Sequence, residues 1–258
     1  MQMPVLFVGH GSPMNAIEEN AFTRALAGLR ARLPRPKAIC VVSAHWVTDG
    51  SEVLTVAQPK TIHDFYGFPR ALYETHYPAP GAPEEAKKVA KELHLKPDET
   101  WGFDHGAWSV LRHIYPQAGV PVFQVSLDQR RSLPGRVALG EELRSLRSRG
   151  VLILGSGNIV HNLRRLQLEV DAKPFDWTLE FDSKVKVAIE RHDVQSLAAP
   201  TAWGESLLAT AHPTLEHYIP LLYCMGSTNS KDSISYPHEG FDYGSLSMRM
   251  VLFEPPAI

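Results

Sequence analysis

The sequence predicts an α/β fold, a single domain in which a mostly parallel or mixed central sheet is flanked by helices. Two observations predict it. Short runs of β-branched and aliphatic residues alternate along the chain with segments whose apolar residues recur at helical spacing. The run Ala38–Ser43 is apolar up to its last residue, which is typical of a strand covered by helices on both faces. No linker-like change of composition divides the 258 residues, so we expect one domain over residues 1–258.

The first half of the chain begins with a short buried strand and an amphipathic helix. Phe22, Leu26 and Leu29 are spaced as on one helix face, and Pro34 ends that helix. The segment from Pro59 to Pro83 is rich in proline, glycine and aromatic residues, and we expect it to form a pocket wall. The predicted elements are strands at 4–8, 38–43, 52–57 and 120–125, and helices at 20–33, 84–94 and 107–115.

The second half continues the alternation. A proline near its start and Gly150 after its end delimit one helix, because proline is favoured in the first turn and glycine just past the last. Another helix is predicted across Pro220, which should kink it. The predicted helices are 134–149, 178–192, 205–209 and 214–225, and the predicted strands are 151–154 and 245–253.

Composition excludes several kinds of partner. A formal net charge of −2 gives no overall field that would attract nucleic acid or an anionic membrane, and we interpret the patch Arg144, Arg147 and Arg149 as a solvated helix face. Cys40 and Cys224 lie in apolar runs, as buried thiols of a reduced compartment do. Neither a signal peptide nor an apolar stretch of membrane-spanning length is present. We therefore expect a soluble, cytoplasmic monomer without nucleic-acid or membrane partners.

Four histidines lie where strands or tight turns are predicted to end, namely His10, His45, His161 and His217. In open α/β sheets, ligands bind outside the carboxyl ends of the strands, so imidazoles from distant parts of a chain can meet there. Gly155 and Gly157 would let a turn before His161 approach a ligand closely. Imidazole suits zinc, iron, copper and nickel, and two imidazoles with a carboxylate suit Fe(II) with open positions. The pattern predicts a metal site at the carboxyl ends of the strands.

Motifs around these histidines recur in a known order. They are Gly9-His10-Gly11-Ser12-Pro13, Ser43-Ala44-His45-Trp46, Thr61-Ile62-His63-Asp64-Phe65, Trp101-Gly102-Phe103-Asp104-His105-Gly106, Gly155-Ser156-Gly157-Asn158 with His161-Asn162-Leu163, and His212-Pro213-Thr214 with Glu216-His217-Tyr218. Together they closely resemble the 4,5-DOPA extradiol dioxygenase family. This family belongs to the class III ring-cleaving dioxygenases related to the catalytic subunit of protocatechuate 4,5-dioxygenase. The resemblance runs from about Met3 to Met248, nearly the whole chain.

The resemblance implies an Fe(II) ion bound by His10, His45 and a third ligand from Glu216-His217. In the wider class the third ligand is a glutamate, but in the branch that this chain resembles the matching ligand is the histidine. His217 is therefore assigned, with Glu216 as the second choice. A third imidazole in place of the glutamate removes one negative charge from the ligand set, and Zn(II) becomes plausible in the purified protein. His161 matches the family's catalytic histidine and could also serve as a fourth ligand.

The implied reaction opens a catecholic, DOPA-like ring with O2 to give a muconic semialdehyde. His161 would act as the base for a catechol hydroxyl, and His105 would steer the substrate or return a proton. Zinc has no redox chemistry, so a zinc-filled protein should bind catechol and fail to cleave it. The predicted substrate contacts are His63, Asp104, Trp46 and Phe65.

Two alternatives belong to other functional classes. A zinc hydrolase could use the same ligands, although neither His-Glu-x-x-His nor Gly-x-Ser-x-Gly occurs. The second alternative is a zinc-binding protein of the same fold with a non-oxygenase or peptide-binding role, since fold alone does not fix function. Such a protein should have lost a ligand histidine, and here all the positions are filled, which favours the enzyme.

Overall fold

The computed structural model describes residues 2–256, and a six-stranded sheet lies at its centre. With strands numbered along the chain, their order across the sheet is Val122–Gln124 (β6), Ala38–Ser43 (β2), Val151–Gly157 (β8), Val5–Gly9 (β1), Met250–Glu254 (β12) and Ser233–Ser235 (β9). The first four of these are mutually parallel, whereas β12 and β9 run antiparallel to their neighbours. The predicted α/β fold with a mixed central sheet is confirmed.

Three two-stranded pairs lie outside this sheet. They are Val47–Thr48 (β3) with Leu127–Asp128 (β7), Glu52–Leu54 (β4) with Lys96–Asp98 (β5), and Phe241–Asp242 (β10) with Leu246–Ser247 (β11).

Ten α-helices surround the β-structure within the described residues. They are Ala21–Arg32 (α1), Arg70–Tyr73 (α2), Pro83–Glu92 (α3), His105–Ile114 (α4), Leu133–Leu143 (α5), Ser145–Ser148 (α6), Asp176–Glu190 (α7), Val194–Leu197 (α8), Glu205–Ala211 (α9) and Ile219–Ser227 (α10). None of them, over residues 2–256, has the length and apolar character needed to cross a membrane. The extent of the domain, 1–258, and the monomeric state stay predictions.

The central strands are buried on both faces, as their apolar runs predict. Val5 and Phe7 belong to one hydrophobic cluster, while Leu6 and Val8 belong to a second cluster on the opposite face. Helices α5, α7 and α10 contribute to the first cluster, and α1 and α4 contribute to the second. Because side chains alternate along a strand, both faces of β1 need apolar residues, and the run is continuous.

The parallel strands end at the same edge of the sheet. Gly9, the last residue of β1, pairs with Gly157, and Ser43, the last of β2, pairs with Ser156. The residues that follow β1 and β2 therefore emerge side by side, which brings distant loops together.

Several predicted boundaries are wrong for identifiable reasons. Strand β8 continues through Gly157, so the predicted Gly-Ser-Gly turn is part of the sheet. The helix predicted over 214–225 begins only at Ile219, with Pro220 in its first turn. Backbone N–H groups in a first turn have no partner within the helix, so the proline breaks no hydrogen bond and causes no kink. The single strand predicted over 245–253 is two short strands, β11 and β12, and the helix predicted over 134–149 is split into α5 and α6.

The basic patch also differs from its predicted solvated helix face. Arg147 is fully buried and forms a bidentate ion pair with Asp232, at 2.7 and 2.9 Å. Its guanidinium also donates to the carbonyls of Met3 and Ser227. Helical spacing does not distinguish this side chain from its half-buried neighbours Arg144 and Arg149, because its partners lie far away in sequence.

Candidate metal centre

His10, His45 and His217 meet at the edge where β1 and β2 end. One nitrogen of each ring lies within 4.8 Å of a nitrogen of the other two. The ring centroids are 5.0 Å apart for His10 and His45, 5.3 Å for His10 and His217, and 5.0 Å for His45 and His217. The structure thus brings together the three side chains that the sequence suggested as ligands.

A chain of hydrogen bonds fixes the tautomer of His10. The Ser156 hydroxyl donates to the carbonyl of Gly106 at 2.6 Å, so its only proton is committed. His10 Nδ1 lies 3.0 Å from the same hydroxyl oxygen and must therefore donate to it. A neutral imidazole carries one N–H, and the Nε2 of His10 is left with a bare lone pair.

The bare Nε2 of His10 faces the Nε2 of His45 at 3.1 Å. On the far side of the His45 ring, Nδ1 lies 3.3 Å from the Asp64 carboxylate, which can only accept a proton. If Nδ1 carries the ring proton, two lone pairs point at each other, and a cation between them would relieve the repulsion. Two imidazoles held at about 2.0–2.1 Å from one ion stand roughly 3.0–3.4 Å apart. The pair therefore fits a first-row metal ion.

His217 is held in place by the end of β8. Its carbonyl accepts the backbone N–H of Asn158 at 2.8 Å, and a Cβ on Gly157 would lie only 2.1 Å from that oxygen. The side chain is 6% exposed, and its Nδ1 has no hydrogen-bond partner. By contrast, the Glu216 carboxylate accepts from the Thr214 hydroxyl at 2.6 Å in an exposed contact. Glu216 does not join the three imidazoles.

His161 lies against His217 and outside this group. The two rings are stacked, with centroids 3.5 Å apart and an interplanar angle of 4°. The backbone N–H of His161 donates to Ala211, which anchors the residue beyond β8. Burial is the main cause that lowers the pKa of His161 to about 3, and nearby His212 and His105 contribute to this shift. The ring is thus neutral at pH 7.

His105 occupies the first turn of α4, beside the three imidazoles. Its ring centroid is 3.9 Å from that of His45, and its Nδ1 donates to Asp64 at 2.9 Å. Asp104 caps the helix by accepting the N–H of Ala107. Gly106 lets His45 approach, since a Cβ there would lie 3.0 Å from His45 Cδ2.

Burial keeps the clustered imidazoles neutral. It lowers the pKa of His10, His45 and His217 well below the ordinary value of 6.5, and the neighbouring histidines add to the effect. Neutral imidazole is the form that binds a metal, so protons do not compete for these nitrogens at pH 7.

A cavity of about 540 Å³ opens directly onto the five histidines. Its wall is largely apolar, formed by Phe65, Tyr66, Phe68, Leu163, Leu166 and Tyr243. No lysine or arginine lines it among the residues that the structure describes. The size and lining suit a small aromatic molecule.

Of the predicted substrate contacts, only Phe65 lines this cavity. Trp46 is 3% exposed and stacks on Trp101 in the core at 5.9 Å. The His63 ring bonds to the Thr75 carbonyl within an aromatic cluster. Asp104 is fully buried and binds Ser43 and Gln124 at 2.5 and 3.0 Å. None of these three side chains lines the cavity, and their role as substrate contacts stays a prediction.

Sequence reasoning missed several cavity residues. Leu163 and Leu166 follow His161, and Tyr243 comes from the turn before β11. The signal in the sequence that could have found the two leucines is their position shortly after a motif histidine. The pair His63-Asp64 is a sequence candidate for contact with the ligands or the substrate, and in the structure the Asp64 carboxylate contacts both His45 and His105.

Comparison with known proteins gives consistent results. Residues 5–243 match the sequence profile of the family described as "Catalytic LigB subunit of aromatic ring-opening dioxygenase". A protein of Escherichia coli (strain K12) named "4,5-DOPA dioxygenase extradiol" is 44% identical over 97% of this chain and 94% of its own length. A Beta vulgaris protein of the same name is 34% identical over 93% and 92%. The crystal structure of an uncharacterized protein from Escherichia coli K12 superposes with a TM-score of 0.85, at 39% identity, covering 97% of this chain and 99% of that one.

Proposed function

This chain belongs to the LigB family of aromatic ring-opening dioxygenases, and we propose that it opens catecholic, DOPA-like rings with O2 at an Fe(II) centre. The family resemblance predicted from the motifs is confirmed, and with it the class of enzyme, an extradiol ring-opening dioxygenase. The substrate, the metal and the muconic semialdehyde product are the parts that we propose.

The facing Nε2 atoms of His10 and His45 carry the proposal. With the proton of His10 committed to Ser156, a bare nitrogen 3.1 Å from a second imidazole nitrogen requires a proton or a cation between them. The adjoining cavity is open on the side of these rings and is lined by aromatic and aliphatic groups. A cation site that opens into an apolar cavity is what a metal-assisted reaction of an aromatic diol needs.

The proposed ligands are His10, His45 and His217. A bound Fe(II) would supply redox chemistry toward O2 and lower the pKa of a catechol hydroxyl. The three imidazoles leave open the side that faces the cavity. Phe65 and Tyr243 would hold the ring there by stacking and exclude water from the diol.

Two further histidines line the cavity, and we propose that they move protons. His161 lines the cavity, and its neutral ring has one nitrogen with a free lone pair; we propose that this nitrogen accepts the proton of a catechol hydroxyl. His105 has its Nδ1–H on Asp64, so its Nε2 carries a lone pair and can hold a substrate hydroxyl. We propose that His105 steers the diol and returns a proton to the product.

We expect the choice of substrate to depend on the aromatic ring and its two neighbouring hydroxyl groups. The cavity lining holds one carboxylate, Asp64, and within residues 2–256 no cationic side chain that would pair with a substrate carboxylate. Simple catechols should therefore be opened as well as DOPA.

Anaerobic reconstitution with Fe(II), followed by oxygen uptake with DOPA, catechol and 4-methylcatechol, tests the function. Uptake matched by formation of a ring-opened semialdehyde is the expected result. Stoichiometric iron without uptake on any catechol would contradict it and favour the zinc-binding, non-oxygenase alternative.

Substitutions separate binding of the metal from turnover. His10→Ala and His45→Ala should lose the metal, whereas His161→Ala should keep it and lose about two to four orders of magnitude in rate. His113→Ala is the control, because this half-buried ring lies outside the cavity lining and donates to the Asn15 carbonyl at 2.7 Å. Metal content and rate are measured on the same samples. Equal metal loss in all three site variants would make His161 a ligand.

A further inference from the structure

The Asp64 carboxylate lies between two histidine rings that the proposed function uses differently. Its Oδ2 accepts from His105 Nδ1 at 2.9 Å and lies 3.3 Å from His45 Nδ1. Its Oδ1 accepts the backbone N–H of His105 at 2.9 Å. The side chain is 19% exposed, so water competes little for these contacts. One carboxylate thus serves a proposed ligand and a proposed substrate-steering residue together.

The direction of these hydrogen bonds follows from what each group can do. The backbone N–H of His105 can only donate, so Asp64 Oδ1 accepts it, and Oδ2 lies within hydrogen-bond distance of both ring Nδ1 atoms. An ionised carboxylate has no proton to give. Both ring Nδ1 atoms must then carry the proton, and both Nε2 atoms are left as lone pairs.

We propose that Asp64 is a positioning residue that fixes His45 and His105 in the Nδ1–H tautomer, with Nε2 of each free. For His45 the free Nε2 is the atom that faces His10, at 3.1 Å. For His105 it is the atom available to a substrate hydroxyl. The His45 role concerns the metal and does not need ring cleavage to occur, whereas the His105 role rests on the proposed function.

A different arrangement, with His45, Asp64 and His105 themselves holding an ion, is also compatible with their proximity. Both Asp64 oxygens, however, already accept N–H groups from His105. A ring nitrogen that donates a proton cannot bind a metal at the same time. His45 would also have to turn its lone pair away from His10. If Asp64 stays outside the ligand set, all of its observed contacts with His105 and His45 are kept and no side chain has to move.

Asp64→Asn provides an unusual test, because the backbone dictates how the amide must sit. The N–H of His105 can only donate, so the amide oxygen has to take the place of Oδ1. The amide NH2 then takes the place of Oδ2 and points a donor at both ring Nδ1 atoms. To accept it, each ring must move its proton to Nε2, and an Nε2–H cannot be a ligand. Asparagine should thus invert both tautomers.

Alanine at the same position only removes the acceptor. His45 in Asp64→Ala is free to keep its proton on Nδ1 and bind through Nε2. We therefore expect metal affinity to fall in the order wild type, Asp64→Ala, Asp64→Asn. Asp64→Glu, which retains an acceptor, should be closer to the wild type than Asp64→Asn. If Asp64 had only a structural role, Asp64→Asn would bind the metal more tightly than Asp64→Ala, because asparagine is the closer match to aspartate in shape.

The measurement is the affinity of the apoprotein for Zn(II), by competition with a chromophoric chelator, which requires no turnover. Loss of an outer partner of a metal-binding histidine typically costs about 10–100-fold, and Asp64→Asn should reach at least this range. Asp98→Asn is the matched control, because Asp98 also accepts backbone N–H groups, at 3.0 and 2.6 Å, and contacts no histidine. Its zinc affinity should equal that of the wild type.

The ¹⁵N chemical shifts of the imidazoles in the zinc-loaded protein report the tautomers directly. We expect the non-ligating His105 to change from Nδ1–H to Nε2–H in Asp64→Asn. The affinity loss should persist in a His105→Ala background, since it acts through His45. Equal or higher zinc affinity in Asp64→Asn than in Asp64→Ala, or an unchanged His105 tautomer, would overturn the proposal. Both readouts stand even if no catechol is cleaved.

Discussion

Gly157→Ala tests how the end of β8 positions His217. A Cβ at this residue would lie 2.1 Å from the His217 carbonyl oxygen, whereas ordinary contacts begin at 3.4 Å. The carbonyl belongs to the backbone and cannot swing away as a flexible side chain could. It also accepts the N–H of Asn158 at 2.8 Å, so both sides of the contact are fixed. The segment that carries His217 must move.

The size of the displacement follows from these distances. Relief of the contact requires a shift of about 1.3 Å, the difference between 3.4 and 2.1 Å. Metal–ligand distances tolerate about 0.2 Å, so His217 would leave the ligand set. Loss of one of three ligands should cost at least about 100-fold in metal affinity, the upper end of what outer partners contribute. The overpacked backbone should also cost about 1–3 kcal/mol of stability.

Two glycines separate these effects. Gly81→Ala creates a similar clash, 1.9 Å from the Val56 carbonyl, near the start of β6 and thus at the opposite edge of the sheet. Gly28 lies in α1 with open space around it, so Gly28→Ala should stabilise the protein by roughly 0.5–1 kcal/mol. Zinc affinity and calorimetric Tm are measured for all three variants. If Gly157→Ala is destabilised like Gly81→Ala but binds zinc as tightly as the wild type, the end of β8 does not position His217 for a metal.

Three further predictions concern stability and the metal. Asp232→Ala leaves the buried guanidinium of Arg147 unpaired and should lower the free energy of unfolding by about 3–5 kcal/mol, or roughly 6–10 °C in calorimetric Tm. The double variant Arg147→Met/Asp232→Leu should lose less stability than Asp232→Ala, and the opposite order would contradict this. Burial and the charge of Glu18 raise the pKa of Asp242 from 3.8 to about 6, so the folded protein binds this proton more tightly than the unfolded chain does. The stability of the wild type relative to Asp242→Asn should therefore fall as the pH rises from 3.8 through about 6. Parallel stability profiles of the two proteins against pH, measured by denaturant titration, would contradict this prediction. Zinc-loaded protein should bind 4-methylcatechol in calorimetric titration yet consume no oxygen, and oxygen uptake with zinc alone would count against a redox role of the metal.

The placement of His10 and His45 could be predicted because local sequence determines it. Each follows a run of apolar residues that can only be a buried strand, and parallel strands end at one edge. The same reasoning gave strand 38–43 with its observed bounds. The position of β8 was predicted too, but its end was not. The sequence predicts a turn at the glycines, whereas the structure needs Gly155 and Gly157 because α10 and His217 pack directly on the strand.

The remaining parts of the site depend on contacts between distant residues. Ser156 determines the tautomer of His10 across 146 positions of sequence, and Asp64 meets His105 across 41. No periodicity or spacing encodes such pairs. Arg147 shows the same limit in the core, since its partner Asp232 lies 85 residues away. Apolar pattern predicts which segments are buried, but not which polar groups accompany them.

The distribution of negative charge around the imidazoles bears on what the site can bind. Glu216, the alternative ligand, uses its carboxylate on Thr214, and the inward-facing side chain is His217. The carboxylate that does serve the cluster, Asp64, stands behind the His45 ring and not among the nitrogens that face the cavity. Electrostatic attraction weakens with distance, so a divalent ion held by His10, His45 and His217 would be neutralised less than by a ligating glutamate. Such an ion would favour an anionic guest. A catechol that gives one hydroxyl proton to His161, the base we propose, would provide that charge itself, which would give the proposed replacement of a ligating carboxylate by His217 a physical reason.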